Sequence, residues 1–240
     1  MITERINQDE RFETLSFSYH AVTVVYRARV SLQIKACDKG DSVGKSLEET
    51  TIPQTVWPAA YPASEKLIDD SSRIFGGRKI KVLEIGSGTG LFGLTAAALG
   101  HKVVVTDTNE VSLALLAMHP QVAPRRLRWG NDDDAAAILE EFDGPFDAII
   151  GCDVFYFSAS LRAGMKTVSR LLRPGGSFLL ASAVRSDEIE DEIERIPETF
   201  SAEFVVTTKE DIQCRGGPYP GQVHTKNQFR HVLWMELQRR

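Results

Sequence analysis

Val82-Leu83-Glu84-Ile85-Gly86-Ser87-Gly88-Thr89-Gly90-Leu91-Phe92-Gly93 reads as a short apolar strand, a glycine-rich turn and the start of a helix. Glycines at 86, 88 and 90 let the backbone bend tightly and let a flat ligand approach with no Cβ in the way, while the N–H groups of the new helix point into the same space. The stretch has the form of a nucleotide-cofactor site, and two fingerprints compete for it. Gly88 to Gly93 also satisfies G-x-G-x-x-G, the dinucleotide pattern. Glu84 tips the reading. A carboxylate two residues before the first glycine repels a pyrophosphate but suits a ligand carrying a cationic amino group, such as S-adenosylmethionine.

Outward from this turn, strands and helices alternate. Ile80 to Ile85 reads as a buried strand, Leu91 to Leu99 as a helix closed by Gly100, and Lys102 to Thr106 as a second strand. Glu110 to Met118 is a helix stopped before Pro120, and Arg126 to Trp129 a short third strand. Asp133 to Phe142 is expected as a helix, Phe146 to Cys152 as a fourth strand, Ala159 to Leu172 as a helix and Phe178 to Ala183 as a fifth strand. An acidic helix from Asp187 to Ile196 and strands near Phe204 to Thr207 and His231 to Leu237 complete seven. Repeated βα units of this spacing predict an α/β fold with a doubly wound, mostly parallel sheet covered by helices on both faces.

Upstream, Phe17, Tyr19, Val22, Val24 and Tyr26, then Val30, Leu32 and Ile34, alternate with polar residues and predict an added N-terminal β segment. Cys37 to Thr51 reads as a loop. Its Gly44-Lys45-Ser46 ends like a P-loop, but Lys39 stands where the earlier glycine is required, so the phosphate cradle is incomplete. After Trp57 and Pro58 a helix runs to about Phe75, with Ala60, Ala63, Leu67 and Ile68 near one face and Gly76-Gly77 at its end. One domain over 1–240 is expected: a β extension and loop over 1–52 and a cofactor-binding and catalytic core over 53–240.

A chain of 240 residues, 42% of them hydrophobic, can bury a full core. Its net charge of -5 argues against broad electrostatic binding to nucleic acid or anionic membrane, which depends on clustered Lys and Arg, and makes a basic macromolecule the easier partner. A monomer is expected rather than an oligomer. Cys37, Cys152 and Cys214 are odd in number and far apart, which fits a reduced compartment. Residues 1–13 are polar, with four acidic residues, and lack the basic and apolar regions of a signal peptide. No apolar stretch is long enough to span a bilayer, so a cytoplasmic location, with the nucleus as a second compartment, is expected. The five histidines show no H-E-x-x-H or Cys-x-x-Cys arrangement, so no metal is expected.

In an open α/β sheet, ligands sit outside the carboxyl ends of the strands. Asp107 follows the second strand, seventeen residues past Gly90, where its carboxylate could accept hydrogen bonds from both ribose hydroxyls; the competing role, a helix N-cap, suits Thr108 and Asn109 better. Trp129 follows the third strand and either flanks an adenine ring or packs as an ordinary core or surface indole. Cys152 and Asp153 follow the fourth. With no basic or metal-site neighbour to lower its pKa, Cys152 reads as a small pocket wall rather than a nucleophile.

Together with Val82 to Gly90, the segments Leu127-Arg128-Trp129-Gly130, Phe146 to Tyr156 and Leu171-Leu172-Arg173-Pro174-Gly175-Gly176 resemble class I S-adenosylmethionine-dependent methyltransferases. More narrowly, Val56-Trp57-Pro58-Ala59-Ala60 and the Asp-x-x-Tyr run Asp153 to Tyr156 are similar to the methyltransferase-like protein-lysine methyltransferases of the seven-β-strand superfamily, over roughly residues 50–205. The resemblance implies a Rossmann-like methyltransferase sheet. It places Glu84, Gly86, Ser87 and Gly88 around the methionine moiety, Asp107 on the ribose, Trp129 beside the adenine, and Trp57 and Cys152 on the pocket wall, with Gly90 and Thr108 completing the cofactor contacts. Asp153 and Tyr156 would line the substrate end as the catalytic pair. Tyr156 would aim the amine, and Asp153 would orient it or hold the loop. Family members usually carry alanine at the position of Cys152 and often an acidic residue where Arg128 stands, and the run Asp132-Asp133-Asp134 has no fixed counterpart.

The function implied is N-methylation of lysine side chains of a protein. A small-molecule N- or O-methyltransferase, or a non-catalytic cofactor-binding regulator, uses the same sheet and stays open on sequence alone. The acidic stretch Asp187 to Glu194 either attracts a basic substrate or is a solvated helix face.

Overall fold

Alternation of apolar side chains sets the sheet. The computed structural model describes residues 12–29, 56–155, 158–184, 187–213 and 231–240. Strand β3 (Lys81–Ile85) sends Val82 and Glu84 to one face and Leu83 and Ile85 to the other, and all four are buried. A one-residue slip would exchange the two faces, so burial of about 1.5–3 kcal/mol per large apolar side chain specifies the register strongly.

Strands β4 (Lys102–Asp107), β5 (Val122–Arg126), β6 (Phe146–Cys152) and β7 (Leu172–Ala183) join β3 in parallel, while β9 (Val232–Arg239) inserts antiparallel between β7 and β8 (Phe204–Ile212). The order is β5-β4-β3-β6-β7-β9-β8. The chain steps outward from β3 to β4 and β5, then returns to place β6 on the other side of β3. Ligands of doubly wound sheets bind where the order reverses in this way, here beyond the carboxyl ends of β3 and β6.

Helices α1 (Ala60–Phe75) and α2 (Leu91–Ala98) pack on the Val82 face. The opposite face is covered by α4 (Asp132–Glu141), α5 (Ser158–Leu171), α6 (Asp187–Glu194) and the short α7 (Ile196–Thr199). Helix α3 (Glu110–Leu116) links β4 to β5 and buries Leu116 in the first cluster. On that side lies a separate hairpin of β1 (Phe12–Tyr19) and β2 (Val22–Arg29), joined at His20 and Ala21, with His20 at φ 50°. Leu15, Phe17, Val24, Tyr26 and Ala28 face inward. Phe17 lies 5.8 Å from the Tyr61 ring, and the Tyr26 and Tyr61 hydroxyls hydrogen-bond to one another.

Element boundaries mostly follow the sequence pattern, but β7 starts at Leu172 rather than Phe178, β8 runs on to Ile212 rather than Thr207, and one strand is displaced outright. The third strand is Val122–Arg126, not Arg126 to Trp129. Pro124 and two arginines disguise it, yet an edge strand tolerates a residue that donates no N–H, and Val122 to Arg126 pair with Val103 to Asp107. The expected strand residues Val30, Leu32 and Ile34, the loop Cys37 to Thr51, Cys214 and Tyr156 lie outside the described residues. No helix among the described residues is long and apolar enough to cross a membrane.

Candidate functional site

The turn after β3 is held from below by β4. Ser87 N–H donates to the Thr106 carbonyl at 2.8 Å, Thr106 Oγ1 to the Glu84 carbonyl at 2.7 Å, and Gly88 N–H to Asp107 Oδ2 at 2.8 Å. Gly86, Gly88 and Gly90 all have positive φ, as the tight turn requires. The resulting loop opens onto a cavity of about 440 Å³ at the β3/β6 switch point. Of the residues expected at a cofactor site, Trp57, Glu84, Gly86, Ser87, Gly88, Asp107, Thr108, Trp129 and Cys152 all line it. Asp153, expected at the substrate end, lines it as well.

Gly90 is not on the cavity wall. It stands at the N-cap of α2 with φ 74°, and a Cβ there would run into the Leu116 side chain, so its work is to admit the turn rather than to touch a ligand. Asn109, not Asp107, caps α3, accepting from Ser112 N–H at 3.0 Å. Asp107 accepts from the N–H groups of Gly88 and Asn109, at 2.8 Å each, and of Thr108. Its carboxyl lies above the usual range because burial outweighs these three donors.

Glu84 is 2% exposed, and its carboxyl is pushed well above the usual value of 4.5 by burial, with the Asp107 charge adding to the shift and a hydrogen bond from Gly93 N–H opposing it. Oε2 finds no hydrogen-bond partner among the described residues, and neither does the buried Ser87 Oγ. Two unmatched polar atoms on one cavity wall point to a ligand that supplies their partners. Gly93 must lack a side chain, because a Cβ there would collide with Glu84 Oε2 and Val105.

Trp129 sits beyond the turn after β5, its ring edge over Gly86 and packed edge-on against Phe155 at 5.7 Å. Arg128 lines the cavity and is tied to the acidic run: its Nε and Nη2 grip Asp134 at 2.9 and 2.8 Å, and its backbone N–H donates to the same carboxylate. Hydrogen bonding and charge from Arg128 hold Asp134 down to about 2.

Asp153 is 2% exposed and adopts φ 52°. Oδ2 accepts from Ala59 N–H at 2.9 Å and Oδ1 from Ala183 N–H at 2.8 Å. Each carboxylate oxygen thus accepts one backbone N–H, the arrangement that holding the loop requires. Sequence reasoning did not assign Ala60, Thr89, Leu91, Phe92, Leu127, Arg128, Val154, Ser160 and Ala163 to the cavity, and these complete its lining. The only hint was the small-residue spacing of Ser160, Ala163 and Gly164 in the first turns of α5. No group of three His, Cys, Asp or Glu side chains among the described residues is placed to hold a metal ion.

The sequence model of a family described as lysine methyltransferases matches residues 41–199. The chain is 31% identical over 145 residues to the mouse (Mus musculus) protein N-lysine methyltransferase METTL21A, a match covering 56% of this chain and 62% of that one. It is 31% identical over 140 residues to mouse EEF1A lysine methyltransferase 3, covering 55% and 56%. The chain therefore spans less than two thirds of the length of these two relatives. Among solved structures, the T. thermophilus 16S rRNA N2 G1207 methyltransferase RsmC, in complex with AdoMet and guanosine, superimposes with a TM-score of 0.57 at 18% identity, over 97% of this chain and 52% of that one, which shows the shared fold.

Proposed function

Because this chain belongs to the lysine methyltransferase family, we propose that it transfers methyl groups from S-adenosylmethionine to lysine side chains of a protein. The observation that carries the reading is the pair of unmatched buried atoms, Glu84 Oε2 and Ser87 Oγ, on the wall of a cavity built by the glycine turn. A cationic amino group satisfies a buried carboxylate that a pyrophosphate would repel. The residues present fit this cofactor: Glu84 and Ser87 for the methionine end, the remaining lone pairs of Asp107 for ribose hydroxyls, and the Trp129 indole for the adenine.

When bound, S-adenosylmethionine supplies a methyl group already activated on a sulfonium, so the protein's task is chiefly positioning. A lysine amine is protonated at neutral pH, with a reference pKa of about 10.4, and each unit of depression costs about 1.36 kcal/mol. Exclusion of water where the acceptor meets the filled cavity favours the neutral amine. Asp153, engaged by Ala59 and Ala183, is not assigned the proton. A reducing, cytoplasmic setting suits the odd and scattered cysteines.

Incubation with tritiated S-adenosylmethionine and a cell lysate, followed by separation of protein from small-molecule label, tests the proposal. Label in acid-hydrolysed methyl-lysine is expected. Label confined to small molecules, or calorimetric binding of NADH but not of S-adenosylhomocysteine, would overturn it.

A further inference from the structure

Helix α1 begins without a cap of its own. Pro58 has no N–H, Ala59 at the N-cap has no side-chain acceptor, and the first turn carries no acidic residue. The first donor, Ala59 N–H, is met instead by Asp153, 94 positions away in the chain, which brings its charge to the positive end of the helix. The same carboxylate takes Ala183 N–H, on the last residue of β7, and Asp153 N–H donates to the Ala181 carbonyl at 2.8 Å. One side chain therefore joins three segments: Trp57 and Ala60 at the start of α1 and the Cys152-Asp153-Val154 turn, which line the cavity, and the tip of β7, which backs that turn. Its backbone lies in the left-handed region, at φ 52°, a conformation that persists in a non-glycine residue where the surroundings over-determine it.

We propose that Asp153 is a positioning residue, whose carboxylate sets the placement of Trp57 and Ala60 on the cavity wall and thereby shapes the methyl-donor pocket, rather than a group that touches the methyl acceptor. The ligand readout of this proposal rests on the methyltransferase reading above; a second readout does not. Asp153→Asn is the informative variant, because asparagine tolerates the left-handed backbone while presenting an N–H₂ to one of the two N–H donors. In protein labelled with 5-fluorotryptophan, with resonances assigned by Trp57→Phe and Trp129→Phe, D153N should shift the Trp57 fluorine signal without ligand and leave Trp234 in place. Its Kd for S-adenosylhomocysteine should weaken by about tenfold or more, because Trp57 and Ala60 no longer stand in place on the cavity wall. A residue that only contacts the acceptor would change KM for the acceptor and neither of these. An unmoved Trp57 signal with wild-type affinity overturns the proposal. Should D153N fail to fold, Asp153→Glu keeps both acceptors on a longer stem and must displace the same signal, and an unmoved signal there overturns the proposal equally. If the wild-type protein does not bind S-adenosylhomocysteine, the methyltransferase reading fails while the fluorine signal still decides the positioning role.

Discussion

A carboxylate closed off from water with one oxygen unmatched destabilises the ligand-free protein, and Glu84 is in that position. Its folded-state pKa is raised by burial, so its contribution to stability is complete below the usual 4.5 and is lost as pH rises through the folded value. Glu84→Gln, which imitates the protonated form, should therefore melt higher than wild type in the absence of ligand, by a margin that opens above pH 4.5 and widens as pH rises toward the raised folded-state value. The same change should weaken S-adenosylhomocysteine binding by about 10- to 100-fold, since hydrogen bonds to charged groups contribute about 1.5–3 kcal/mol. Thermal melts at two pH values and titration calorimetry read both effects. A lower melting point with unchanged affinity would show Glu84 to be structural. The position of Glu84 before the turn was legible in the sequence, but the unmatched Oε2 was not, because it depends on how α2 approaches β3 at Gly93.

Helix α1 is tied to the sheet by charge as well as by its apolar stripe. Arg73 holds Glu236 of β9 through both nitrogens, at 2.9 and 2.6 Å, and Glu236 also accepts from Trp234 Nε1 at 3.0 Å. Lys66 bridges Asp70 at 2.9 Å and Glu210 of β8 at 2.8 Å. Burial pushes the Glu236 carboxyl up, but the hydrogen bonds from Arg73 and Trp234 and the Arg73 charge carry it below its usual value. Glu236→Ala leaves the buried Trp234 indole N–H without its acceptor and strips the Arg73 guanidinium of its two-point partner, leaving it Asp70. Because Arg73 is half exposed, the loss should be about 1–3 kcal/mol, less than for a fully buried pair, and urea unfolding measures it. The βα periodicity announced α1 and both of its strand partners. The pairing of Arg73 with Glu236, 163 positions apart, follows only from the antiparallel insertion of β9.

Across the whole molecule, carboxylates fall into two groups of opposite pH sense. Asp70, Asp134, Glu141, Asp147, Glu194 and Glu236 are held below their usual values by basic partners, with a backbone N–H adding for Asp134 and Asp147 and the Trp234 indole for Glu236. Each stabilises the fold above its unfolded pKa, and that contribution is lost as pH falls through the folded one, as far as about 2 for Asp134. Glu84 and Asp107 act in the other direction. The first group outnumbers the second, so unfolding free energy should fall steeply from about pH 4 downward, and less steeply in 1 M salt, because most of these pairs lie near the surface where ions screen them. Chemical denaturation between pH 7 and 3 at two salt concentrations tests this; a salt-independent acid limb would assign the loss to buried groups instead.

Local periodicity determined the elements: strands and helices of the βα repeat are each specified by side chains close in sequence, and the glycine turn with Glu84 and Asp107 marks the cofactor end through spacing alone. Strand β5 escaped because Pro124, Arg125 and Arg126 are permissible only on an edge, and edge position is a property of the assembled sheet. The tertiary structure alone decided that Gly90 admits a turn without facing the cavity, that Arg128 is tied to Asp134, and that the Asp153 carboxylate accepts from Ala59 and Ala183. Those outcomes depend on which backbone N–H groups lack a partner once distant segments have packed, and no run of neighbouring residues encodes that.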